Sequence, residues 1–81
     1  MDFEYSAHAR EMIQERRISE EWVRRTLDSP DCREMRVDGN MHYIKAIPDH
    51  DGRFLRVVVN PIVVPNRIVT VFFDRRLRRQ R

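Results

Sequence analysis

Fifteen arginines, three histidines and a single lysine carry most of the chemistry open to this 81-residue chain. Arginine presents a planar fork of donors that grips phosphate in two places, which the point charge of lysine does not. Five of the arginines, Arg75, Arg76, Arg78, Arg79 and Arg81, fall in the closing run RRLRRQR, which has no acid. The net charge is +3, so residues 1–74 sum to −2 and the tail holds the whole excess. A run like this repels itself and stays extended unless an anionic partner binds it. Nucleic-acid phosphate is such a partner. In the body of the chain, an arginine-rich codon bias explains the surface arginines equally well.

Histidine exchanges protons near neutrality and is the natural acid–base group here. His8 and Arg16 are eight residues apart, roughly 80° round a helix at ~100° per residue, so both reach one side of it. For Arg16 an ion pair with Glu15 or Glu20 is the plain alternative. For His8 it is a bond to its helix-start neighbours. His42 alternates with Tyr43, which places it on the core side or at an edge as a structural residue. His50 lies in the polar turn Asp49-His50-Asp51, where a solvated role outweighs metal binding because no other ligand cluster supports a site. No metal or cofactor is expected. Cys32 stands alone, which excludes an internal disulfide and any cysteine-built zinc site. It reads as a small apolar residue at a strand start, and Trp22 as a core or interface anchor.

The elements that must position these residues can be read from periodicity. Ser6 is an N-cap for a helix over 7–17, with Ala9, Met12 and Ile13 as a narrow apolar stripe. Ser19 caps a second, with Glu20 and Glu21 in its first turn and Ser29-Pro30 at its end. From Cys32 the period becomes two. Strands are predicted near 32–37, 41–47, 53–60 and 68–74, with turns at Asp38-Gly39-Asn40 and over 48–52. Pro61 and Pro65 keep the last connection out of any central strand. The predicted fold is α+β, two N-terminal helices packed on one face of a four-stranded antiparallel sheet.

One sheet face is then open. Alternation assigns Ile44, Ala46, Leu55, Val57, Val59, Val69, Val71 and Phe73 to the helix side. It leaves Tyr43, Lys45, Arg56 and Thr70 together on the open side, a plausible floor for phosphate. Ordinary solvent-facing positions of a half-exposed sheet are the alternative.

Composition sets the class. With 41% hydrophobic and 36% charged residues, the chain is too apolar for a disordered tail and too polar for a membrane protein. Its longest uncharged run, 57–66, contains two prolines and falls short of the ~20 residues a span needs. Asp2 and Glu4 stand where a signal peptide would be basic. A soluble, cytoplasmic, single-domain protein is expected, with a domain over 1–74 and an arginine-rich tail over 75–81. A domain this small buries only about 60–65% of its unfolded surface, so a second copy or another partner would stabilise it.

The opening run YSAHAREMIQERRISEEWVRRTLDSPD resembles the start of the domain-of-unknown-function 4258 family (DUF4258). It shares a Ser-x-His-Ala start, an arginine near the end of the first helix and an Ile-Ser hinge before the second. The family hinge often reads Arg-Gly-Ile-Ser; here it is Arg16-Arg17-Ile18-Ser19, with Arg17 replacing the glycine. The closing IVTVFFDRR is similar to the family's last strand. Members in turn resemble the RelE/ParE superfamily of toxin–antitoxin proteins, two helices followed by an antiparallel sheet.

That resemblance implies a type II toxin: a metal-independent mRNA endoribonuclease working on the open sheet face and neutralised by a cognate antitoxin. A base would take the ribose 2′-OH proton, an acid would protonate the leaving 5′-oxygen, and cations would stabilise the phosphorane. His8, which carries the motif, is the first candidate for proton transfer. Arg16, Arg56 and Thr70 complete the catalytic set, and Tyr43, Lys45 and the tail arginines form the RNA-binding set. RNA, free or on the ribosome, would be the substrate. The alternative from the same superfamily is a non-catalytic ParE-like toxin, or a protein-binding module that inhibits a partner such as gyrase.

Overall fold

A strand, two helices and then four strands are the order found in the computed structural model, which describes residues 3–77. Strand β1 is Phe3–Tyr5, helix α1 Ala7–Arg16 and helix α2 Glu20–Asp28. Strands β2 (Cys32–Met35), β3 (Met41–Ile47), β4 (Arg53–Asn60) and β5 (Asn66–Phe73) follow. The sheet order is β1-β5-β4-β3-β2.

Both helices start where serine can cap them. The Ser6 hydroxyl accepts from Ala9 N at 3.0 Å and donates to the Val69 carbonyl at 3.0 Å, so one side chain both caps α1 and pins it to β5. Ser19 Oγ accepts from Glu21 N at 3.1 Å. Between the helices Arg17 adopts φ 51 and ψ 45, the left-handed conformation that ends helices and favours glycine.

The α+β class is as expected, but the sheet has five strands and is mixed. Residues 3–5 pair parallel to β5, with Tyr5 opposite Ile68. Three residues are too few for alternation to reveal. The other four strands form an antiparallel meander.

The helices cover one face. Ala9, Ile18, Val23 and Leu27 pack there against Tyr43, Ile47, Leu55, Val57, Val59, Ile68 and Val71. Two assignments from the alternation are thereby corrected. In β3 the phase is inverted: Tyr43 is a core residue on the helix side, with its ring 6.4 Å edge-on to Phe3. Lys45 shares that side and donates to the Ser29 carbonyl at 2.8 Å. The sequence is ambiguous here because β3 is apolar on both faces, and Ile44 is also buried, on the other side. In β5 a bulge makes Val58 pair with Thr70 but Val59 with Ile68, so Ile68 turns into the core and Val69 is the extra residue.

Candidate functional site

On the face away from the helices, the cross-strand rows read His42–Val58–Thr70 and Cys32–Ile44–Arg56–Phe72. Ala46 and Phe54 form the next row, where Asp74 N donates to the Phe54 carbonyl at 2.9 Å. Arg56 is the centre of this surface and only 4% exposed. A guanidinium so deeply buried needs partners for its donors. Its Nε donates to Asp74 Oδ2 at 3.0 Å, and its Nη1 donates to His42 Nδ1 at 3.0 Å and approaches Glu34 Oε1 at 3.5 Å.

This geometry fixes the imidazole. A guanidinium has no acceptor, so His42 Nδ1 accepts and the ring proton sits on Nε2. That nitrogen donates to Asp38 Oδ2 at 3.1 Å. Both nitrogens of the His42 ring are therefore engaged in hydrogen bonds.

Asp74 is the second hub. Arg76 donates to it from its backbone N at 3.0 Å and from Nε and Nη2 at 3.1 Å each. Chiefly because of the Arg76 side chain, then its backbone N–H and Arg56, the carboxyl is pulled down to about 2. Asp38 is also lowered, first by the Asn40 backbone N–H and then by His42. Glu34 is lowered, first by Arg36 and then by Arg56. Phe54, Thr70 and Phe72 lie half-buried around these charges. The result is an internally paired polar centre within an aromatic and apolar surface.

The four catalytic candidates divide between two faces. Arg56 and Thr70 share the open face, in adjacent rows. His8 and Arg16 are exposed on α1, in the helix layer on the opposite side of the sheet. Of the nucleic-acid-binding candidates, Arg76 joins the open-face network and Arg75 is exposed beside it. Tyr43 and Lys45 belong to the helix side, while Arg78, Arg79 and Arg81 lie outside the described residues. His50 is not simply solvated: its ring lies 4.6 Å from Phe73 and 5.6 Å from Trp22.

Sequence reasoning missed His42, Asp74, Asp38 and Glu34 as members of one cluster. Asp74 has the same facing as Arg56 in the expected alternation, whereas His42 joins them only because Tyr43 turns into the core and inverts the phase of β3. Among the described residues no group of three or more His, Cys, Asp or Glu side chains could hold a metal ion, and no helix is long and apolar enough to cross a membrane.

No curated protein and no solved structure is significantly similar to the chain. Residues 5–73 match the family described as domain of unknown function DUF4258, which takes in both helices, all of β2 to β5 and the His42–Arg56 centre. On that extent of match, the chain belongs to the DUF4258 family.

Proposed function

We propose that this chain is the toxin component of a type II toxin–antitoxin pair of the RelE/ParE kind, and that it acts by binding a protein partner on its open sheet face. The order of two helices and an antiparallel meander agrees with what the superfamily resemblance implies. The observation that carries the non-catalytic form is the division of the candidate residues. His8 and Arg16 stand on one side of the sheet and Arg56 and Thr70 on the other, while both nitrogens of His42 are taken. Acid–base catalysis needs a group within hydrogen-bond reach of the proton it moves. Binding does not. Half-buried Phe54 and Phe72 flank Arg56 in the manner of an interface, where aromatics and arginine are enriched. A cognate antitoxin would neutralise the protein by covering the same face.

The test is a surface substitution. Phe54→Asp with Phe72→Asp should abolish growth inhibition by the expressed chain and capture of its partner, with far-UV circular dichroism unchanged. Inhibition that survives both substitutions would remove the open face from the mechanism.

One observation favours the endoribonuclease reading. His8 is exposed and its side chain makes no hydrogen bond among the described residues, so its imidazole is available to a substrate. RNA, alone or on the ribosome, would then be the partner, and His8→Ala would be inactive.

A further inference from the structure

We propose that the cleft between the start of β4 and the residues after β5 binds a mononucleotide, with its phosphate held between Arg53 and Arg75. This site lies beyond the open-face reading and does not depend on it. The cleft has a volume of about 450 Å³ and is lined by Asp51, Gly52, Arg53, Phe73, Arg75 and Leu77, with Asp74 at its edge. That volume falls within the ~300–1,000 Å³ of ordinary small-molecule sites.

The charges in it are unbalanced. Leu55 pairs with Phe73, the last residue of β5, and the chain then turns over residues 74–77, so that Arg53 and Arg75 line the same cleft from its two sides. Two like charges lining one cleft repel each other. Neither arginine makes an ion pair among the described residues, and both are exposed. The Asp74 carboxylate is already held by Arg56 and Arg76, which leaves Asp51 as the one other acid among the described lining residues to offset two guanidinium groups. A phosphate between the two forks would relieve their repulsion and take bidentate bonds from each.

The walls indicate more than a bare anion. Phe73 and Leu77 provide apolar surface, and the Phe73 ring is braced at 4.6 Å by His50 and at 5.9 Å by Trp22. Inorganic phosphate would leave that surface uncovered. A nucleotide places a flat base on it while its phosphate reaches the arginines.

The experiment is a titration of the isotopically labelled 81-residue chain with adenosine and guanosine 5′-monophosphates, followed by amide shifts. Shifts at Gly52, Arg53, Phe73 and Arg75 should saturate together by about 10 mM, where a Kd of ~1 mM is nearly filled. Arg53→Gln and Arg75→Gln should each weaken binding by about tenfold, the loss of a charged hydrogen bond. Arg33→Gln, which removes the same charge on edge strand β2, should leave binding unchanged. Absence of shifts in the cleft would overturn the proposal. So would equal binding of inorganic phosphate, or equal weakening by Arg33→Gln.

Discussion

Arg56 and Asp74 meet at 3.0 Å on the sheet face opposite the helices, with side chains 5% and 2% exposed. Eighteen residues separate them in sequence, and their strands bring them together only because Leu55 pairs with Phe73. The pair links the meander's centre to the first residues of the arginine run. Arg76 is thus bound to the domain through the same carboxylate.

Removing one partner of a buried ion pair leaves the other charge uncompensated. Asp74→Ala should therefore destabilise the chain by about 3 kcal/mol. That is a large part of the ~5 kcal/mol a domain this small holds. The double variant Arg56→Met/Asp74→Leu should be more stable than Asp74→Ala, because no buried charge is left unpaired. Urea unfolding of the three proteins checks both statements.

Acid should erase the same contribution. The Asp74 carboxyl is held at about 2, below its ordinary 3.8, by Arg76 first and then Arg56. A depressed carboxylate stabilises fully above its unfolded value and loses that effect as pH falls through the folded one. The window is from about pH 4 down to about pH 2, and the contribution at neutrality is roughly 2 kcal/mol. Unfolding free energies of the parent and of Asp74→Asn should differ at pH 6 and converge towards pH 2. Parallel curves would contradict this.

At the helix hinge, Arg17→Gly should stabilise. Arg17 sits at φ 51, where a Cβ is strained and glycine is not. The gain is about 0.5–1 kcal/mol, which raises Tm by a few degrees in a domain of this size. A lower Tm would mean that side-chain contacts of Arg17 outweigh the strain.

The last three arginines should act through charge alone. Truncation after Leu77 removes Arg78, Arg79 and Arg81 and leaves the Arg76–Asp74 bonds intact. The salt dependence of any single-stranded RNA binding should flatten by about 2 in log–log slope. Thermal stability should not change. A fall in Tm would assign the tail a structural role.

These relationships were unequally legible in the sequence. The serine caps, the helix ends and all four meander strands follow from local chemistry: Ser6, Ser19 and the Asp38-Gly39-Asn40 turn act within a few residues of themselves. β1 was not legible, because a three-residue parallel strand has no period of its own and depends on β5 for its existence. The phase of β3 was not legible either. Tyr43 and Ile44 are both buried, on opposite faces, so no hydrophobic contrast marks the inside. The bulge that turns Ile68 inward leaves no local trace. The polar centre eluded the sequence for a related reason: Glu34, Asp38, His42, Arg56 and Asp74 come from three strands, a turn and a strand end. Only the meander's register makes them neighbours.

Incubation of the purified chain with RNA, alone and with translating ribosomes, tests the central claim most directly when parent and His8→Ala are compared. The binding account predicts intact RNA from both proteins, and growth inhibition on expression that survives His8→Ala. Cleavage by the parent that falls by about 10²–10⁴-fold in a folded His8→Ala, the usual share of a positioned proton-transfer group, would contradict it.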